Sequence, residues 1–167
     1  SFQYLVRQIW AAPRLFICGS GRSGKIGEMF GMRLVHIRKV VYIVGAPTTP
    51  SIRKGDLLIT ISGSGTTKLV LNCAKTAKKV GAKVMSIRLA CGNSTDDHIS
   101  KISDRCIILD RRLDGEKRKN YLEEKFGVKT DYFPLGSSFE ISALLFLETT
   151  IGALIEGGEI HEEILKE

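Results

Sequence analysis

Residues 57–67 read LLITISGSGTT. The first five form an apolar, β-branched run, which is typical of a strand buried on both faces in a parallel sheet. The next six place two glycines among four hydroxyl side chains, and a helical pattern follows over residues 66–80. In doubly wound sheets, ligands bind beyond the carboxyl ends of the strands. This strand, loop and helix therefore indicate both the fold and the place of a ligand site.

The same alternation extends in both directions along the chain. We predict strands over residues 14–18, 40–44, 57–61, 83–87 and 105–109, and helices over residues 23–36, 66–80 and 137–156. Further helices are predicted at the N-terminal end, near residues 117–126 and at the C-terminal end. Gly81 should end the helix after the loop, and Ser137 or Ser138 should cap the last long helix. Strands alternating with helices predict the α/β class, as a three-layer αβα sandwich with a five-stranded parallel sheet, flavodoxin-like or Rossmann-like. We expect one domain over residues 1–167.

Composition narrows the range of partners. The net charge is +7, but basic residues are dispersed among acidic ones, which favours small anionic ligands over nucleic acid. The apolar runs look shorter than the ~20 residues of a membrane span, and no signal-peptide pattern is evident, so we expect a cytoplasmic protein that binds no membrane. The cysteines lack CxxC spacing, and we interpret them as structural thiols of a reducing compartment. They are Cys18, Cys73, Cys91 and Cys106.

A second glycine-rich loop, residues 19–25, reads GSGRSGK after the first strand. It fits the GxGxxG fingerprint of dinucleotide sites, but that site needs an acid about 20 residues later. The second strand is followed by Gly45, and no acid comes after it until Asp56. The loop also nearly fits the ATP-binding P-loop, yet Ile26 replaces the hydroxyl residue that would bind magnesium. Both nucleotide sites are therefore disfavoured.

The loop of residues 62–67 has the composition of a phosphate site. Gly63 and Gly65 allow several backbone N–H groups to face one point, and the following helix N-terminus adds a partial positive charge. Hydroxyl donors come from Ser62, Ser64, Thr66 and Thr67. A polar turn with an N-cap would explain one threonine but not four hydroxyls. We therefore predict that this loop holds a phosphate dianion without a metal.

These loops resemble the SIS (sugar isomerase) domain family, whose phosphate loop follows the pattern S-x-S-G-x-T. Within it, the chain is most similar to the 6-phospho-3-hexuloisomerase family, through segments that agree in order and spacing over residues 14–155. The matching segments are Gly19–Gly24, Met32–His36, Thr48–Pro50, Gly55–Gly65, Gly81–Val84 and Pro134–Glu140. The resemblance implies interconversion of D-arabino-3-hexulose 6-phosphate and fructose 6-phosphate, a step of the ribulose monophosphate pathway. It also implies no metal or organic cofactor, and a homotetramer whose active sites include residues of neighbouring subunits.

Moving a carbonyl from C3 to C2 through a cis-enediolate needs a base and donors for the enediolate oxygens. Glu140 is our candidate for the base, although a first-turn acid also stabilises the helix dipole without any catalytic role. Arg22 and His36 are the other catalytic candidates; Arg22 could hold phosphate or an enediolate oxygen. His36, at a helix end, could instead be structural or reach a neighbouring subunit's site. The candidates for phosphate or substrate binding are Gly21, Ser23, Ser62, Gly63, Ser64, Gly65, Thr66 and Thr67.

Two positions depart from the family pattern. Ala46 stands where the family commonly has a glutamate, and His161 is a poor match to the histidine of the family's C-terminal R-H-A-N-L-E segment. Two alternatives to the hexuloisomerase stay open for this reason. One is a non-catalytic SIS module that senses a phosphosugar, and the other is an isomerase of aldose and ketose phosphates.

Overall fold

The computed structural model describes residues 2–90, 98–109 and 137–157. The helices are α1 Phe2–Ala11, α2 Gly21–His36, α3 Lys68–Lys79, α4 Ile99–Ile102 and α5 Ser137–Gly157. The strands are β1 Leu15–Gly19, β2 Val41–Ile43, β3 Leu57–Ile61, β4 Lys83–Leu89 and β5 Arg105–Leu109. The five predicted strands are confirmed. The helices predicted near residues 117–126 and at the C-terminal end lie outside the described residues.

The strands form one parallel sheet in the order β2-β1-β3-β4-β5. Strand β2 lies on one side of β1, and β3, β4 and β5 lie on the other side. The strand order therefore reverses between β1 and β3, which are direct neighbours. Their register pairs Gly19 with Ile61, so the two strands end side by side. Both glycine-rich loops leave the sheet at this point, which is where doubly wound sheets bind ligands.

Helices cover both faces of the sheet, as predicted for an αβα sandwich. Successive strand residues point to opposite faces. Ile17 and Ile59 pack in one core with α1, α2 and α5, and Phe16 and Leu58 pack in a second core with α3 and α4. Strand β3 is buried along its whole length, because it lies in the middle of the sheet with a helical layer on each side.

Helix ends differ from the prediction by a few residues. Gly81, with φ of +82°, follows the end of α3, where its N–H donates to the Lys78 carbonyl. Helix α3 begins at Lys68 rather than residue 66, because Thr67 is extended and occupies the N-cap position. Helix α5 already includes Ser137 and Ser138, so the expectation that one of them is the cap was wrong.

Helix α5 is long and apolar enough to cross a membrane, judged by length and composition alone. The expectation that no segment reaches this length was therefore wrong. A core helix meets the same criterion, and a stripe of α5 is 0–1% exposed against α1, α2 and the sheet. This stripe contains Ala143, Leu147, Ile151 and Leu154. Its packing places the first turn of α5 at the carboxyl edge of the sheet.

Candidate functional site

The first glycine-rich loop makes a tight turn from β1 into α2. A Cβ on Gly19 would stand 2.9 Å from the backbone of Gly24, so the two chain segments meet at a distance that only glycine allows. Gly21 adopts φ of +58°, a conformation that side chains disfavour. The GxGxxG spacing thus serves this turn. It places Arg22 and Ser23 in the first turn of α2, at the carboxyl edge of the sheet.

Both side chains bind the carboxylate of Glu140 in the first turn of α5. The Arg22 Nη2 donates to Glu140 Oε2 at 2.6 Å, and the Ser23 hydroxyl donates to Oε1 at 3.3 Å. The Glu140 side chain is 19% exposed and that of Arg22 47% exposed, so the ion pair lies at the border between protein and solvent. Three residues predicted separately from the sequence are thereby brought together, and we call them the Glu140 cluster.

The loop of residues 62–67, predicted to bind phosphate and called the phosphate loop below, is organised by its own hydroxyls. Ser62 Oγ and Thr67 Oγ1 lie 3.0 Å apart, and Ser62 Oγ also accepts the N–H of Gly65 at 3.3 Å. The N–H and hydroxyl of Thr66 both donate to Ser64 Oγ at 3.2 Å. Thr67 holds the N-cap position of α3, but its hydroxyl bonds Ser62 and not a helix N–H. The first N–H groups of α3, which have no acceptor within the helix, follow this loop.

Packing connects the phosphate loop to the Glu140 cluster. A Cβ on Gly63 would stand 3.0 Å from the Phe139 ring, so the ring lies directly on the loop backbone. Phe139 is 2% exposed and precedes Glu140 in the chain. The buried contact of Phe139 with Gly63 therefore holds the backbone at Glu140 next to the phosphate loop.

His36 lies apart from these groups. It is the last residue of α2 and is exposed. Arg22 stands in the first turn of the same helix, about 21 Å away at 1.5 Å per residue. Within one chain, the structure does not bring His36 to the Glu140 cluster.

His98 is a residue of this region that the sequence did not indicate. It is 3% exposed, and its ring packs directly on Gly65. A Cβ on Gly65 would stand only 2.6 Å from His98 Nε2. His98 caps α4, because its Nδ1 accepts the N–H of Ser100 at 3.3 Å. The N–H of the next residue, Ile99, donates to the Gly65 carbonyl at 2.9 Å. His98 thus supports the phosphate loop from the side of β4. A polar residue before a short helix could have indicated a cap, but not a contact with residue 65.

Arg88 adds a buried positive charge at the same edge. It stands near the end of β4, is 8% exposed, and its Nε donates to Ser100 Oγ at 2.8 Å. Arg88, Ser100 and His98 therefore form a polar network behind the phosphate loop. Across residues 2–90, 98–109 and 137–157, no group of three His, Cys, Asp or Glu side chains is placed to hold a metal ion.

The model of the SIS domain family matches residues 8–111, which include both glycine-rich loops and His98. The chain belongs to the SIS domain family. The resemblance seen in the sequence is thereby confirmed at the level of the family. Glu140 lies beyond the matched residues, so its place in the site rests on the geometry of α5.

Relatives named 3-hexulose-6-phosphate isomerase align along most of this SIS chain. The protein from Methanocaldococcus jannaschii is 39% identical over 163 residues, which is 97% of this chain and 79% of that protein. The protein from Methylomonas aminofaciens is 37% identical over 92% of this chain and 77% of its own length. A crystal structure from Methanococcus jannaschii, for which a function of 3-hexulose-6-phosphate isomerase was inferred, matches with a TM-score of 0.79 and 36% identity. That match covers 99% of this chain and 81% of the other.

Proposed function

We propose that this SIS protein is a phosphosugar isomerase that interconverts D-arabino-3-hexulose 6-phosphate and fructose 6-phosphate, as in the ribulose monophosphate pathway. The observation that carries the proposal is the Glu140 carboxylate, bound by Arg22 and Ser23 and fixed beside the phosphate loop. A base next to a phosphate site is what a phosphosugar isomerase requires. The names of the aligned relatives support the same reaction.

In the proposed mechanism, Glu140 removes the proton at C2 of the hexulose and returns it at C3. One carboxylate on one face of a cis-enediolate can do both, because the two carbons are adjacent. Arg22 is the donor for the enediolate oxygen, exchanging its bond to Glu140 for one to substrate. The Ser23 hydroxyl, on the other carboxylate oxygen, orients the base.

The phosphate of the substrate is proposed to bind at the phosphate loop. Its hydroxyls can rotate from their mutual hydrogen bonds towards an anion, because a hydroxyl both donates and accepts. The N-terminal N–H groups of α3 add donors and a favourable dipole. Gly21 is proposed to contact the substrate through its backbone, because the space where its Cβ would stand is open. This chemistry uses no metal and no organic cofactor.

A homotetramer in the cytoplasm is part of the proposal. Large apolar side chains on α2 and α5 are 43–64% exposed, which supports contacts between copies through these helices. They are Met29, Met32, Val35, Ile141 and Leu145. His36 stands near Val35 and would reach the active site of a neighbouring subunit in such an assembly. Sedimentation of the purified chain, with Leu145→Glu as the interface variant, tests this part.

The test of the function is turnover on a panel of phosphosugars. Fructose 6-phosphate is supplied with a hexulose-phosphate synthase, and release of formaldehyde reports the reverse isomerisation. Release with fructose 6-phosphate supports the hexuloisomerase. Turnover of arabinose 5-phosphate instead would assign an aldose–ketose isomerase. Tight binding without turnover of any sugar would contradict an enzyme and leave a sensor, the alternative that Ala46 favours.

A further inference from the structure

A cavity of about 270 Å³ lies on the α3 face of the sheet, opposite the layer formed by α2 and α5. Its walls are mainly apolar and come from β1, β3 and the segment that follows β2. Helix α3 contributes Asn72, Cys73 and Thr76 to the lining. The half-buried thiol of Cys73 therefore borders a space that a small molecule can enter.

A second thiol lies beside the first. Phe16 of β1 lines the cavity, and Cys18, two residues later, points to the same face of the sheet. Cys18 is 1% exposed and packs with Cys73 in the core beneath α3. Both thiols thus belong to one packed cluster, and neither is in a disulfide.

The two thiols differ in pKa. A hydrogen bond from the Cys18 thiol lowers the pKa of Cys73 to about 7, although partial burial opposes this change. The same hydrogen bond raises the pKa of Cys18, and burial raises it further. At pH 7 about half of the Cys73 thiols are therefore thiolate, against about 3% for an ordinary thiol with a pKa of about 8.5. The thiolate is the reactive form of cysteine.

We propose that Cys73 is a modification site, where a small hydroperoxide entering the cavity oxidises the thiol and Cys18 then closes a disulfide. The Cys73 thiolate attacks the outer oxygen of the hydroperoxide, the O–O bond breaks, and the alkoxide or hydroxide leaves and takes up a proton. Sulfur is oxidised by two electrons to the sulfenic acid. The Cys18 sulfur then displaces hydroxide, which leaves as water with the Cys18 proton. Two thiols and one hydroperoxide thus give a disulfide, one water, and one alcohol, or a second water where the oxidant is hydrogen peroxide.

The disulfide would join β1, directly before the first glycine-rich loop, to the middle of α3, which follows the phosphate loop. The inference does not depend on the proposed reaction, because it concerns the opposite face of the sheet. The sequence-based interpretation of all cysteines as structural thiols would then hold for Cys18 and Cys106 in the reduced protein but not for Cys73.

The test treats the folded chain carrying Cys91→Ser with hydrogen peroxide and maps its peptides without reduction. Removing Cys91 leaves Cys18, Cys73 and Cys106 as the thiols that can react. The expected product is a Cys18–Cys73 disulfide with a mass loss of two hydrogens. Cys18→Ala should replace it with a Cys73 sulfenic acid that dimedone traps, and Cys106→Ser should leave the disulfide unchanged. A disulfide to Cys106, or oxidation of Cys106 while no Cys18–Cys73 disulfide forms, would overturn the proposal.

Discussion

Replacing Gly65 with alanine is expected to destabilise the protein through two separate effects. Gly65 has φ of +69°, and placing a non-glycine residue in the left-handed region costs about 1–2 kcal/mol. The new Cβ would also lie 2.6 Å from His98 Nε2 and 3.1 Å from Ile99 Cγ2. Overpacking of a buried site costs about 1–3 kcal/mol. The expected total loss in free energy of unfolding is therefore about 2–5 kcal/mol.

Gly55→Ala is the matched control for the backbone effect. Gly55 has φ of +91°, but a Cβ there would meet nothing within 4 Å. This variant should lose only the conformational part, about 1–2 kcal/mol. The difference between Gly65→Ala and Gly55→Ala then isolates the contacts of the new Cβ with His98 and Ile99.

The double variant Gly65→Ala with His98→Ala tests the contact itself. His98→Ala alone removes the cap of α4, at a cost of about 0.5–2 kcal/mol. Because it also removes the ring that the new Cβ would meet, the double variant should be more stable than the sum of single effects by about 1–3 kcal/mol. Urea unfolding followed by circular dichroism, at one fixed protein concentration, measures the free energy of unfolding of the parent and of the four variants. Equal losses for Gly65→Ala and Gly55→Ala, or strict additivity with His98→Ala, would refute the argument.

Three further predictions concern the site, the core and pH. Arg22→Gln should change the free energy of unfolding by less than about 1 kcal/mol, since the ion pair with Glu140 is partly exposed. It should nevertheless lower turnover about 100-fold. A loss of unfolding free energy as large as the loss of transition-state stabilisation would point to a structural role only. Thr60→Val should cost about 0.5–1.5 kcal/mol in the same urea unfolding assay, because it removes the 2.6 Å hydrogen bond to the buried Ser86 hydroxyl, which keeps its bond to Ser103; a neutral effect would contradict this. Burial alone would raise the pKa of Asp104, but hydrogen bonds from Lys78 and a backbone N–H lower it overall. Its contribution to stability is therefore present above the ordinary carboxyl pKa and lost as pH falls through the lowered one, so the parent's advantage over Asp104→Asn in thermal unfolding should shrink on acidification and not grow.

Local patterns made the strands and both glycine-rich loops predictable. A buried parallel strand reads as an apolar run, and a tight strand-to-helix turn needs glycine at fixed places, so these features depend on neighbouring residues. The class and the five strands followed from such runs. Helix ends were off by a few residues because hydroxyl side chains, such as that of Thr67, bond within their loop and do not cap the helix.

Contacts between segments that are far apart in the sequence could not be predicted from local patterns. The bond between Arg22 and Glu140 joins residues 118 positions apart, and periodicity carries no information about that distance. Both residues were candidates from the sequence, but only the packing of α5 against α2 and the sheet explains why they meet. His98 was missed because its partner, Gly65, lies on a neighbouring loop. His36 was a candidate from the family pattern alone, and α2 is long enough to hold it away from the Glu140 cluster.

The central claim is that Glu140 moves the proton between C2 and C3. The most direct measurement is NMR of fructose 6-phosphate in D₂O, which follows exchange of the hydrogen at C3 with solvent. Glu148→Gln is the matched control, because Glu148 is also on α5 and pairs with an arginine of α2, Arg33, at 3.3 Å. Deuterium at C3 is expected with the parent chain and with Glu148→Gln, and none with Glu140→Gln although that variant still binds the sugar phosphate. Undiminished exchange in Glu140→Gln would show that another group moves the proton.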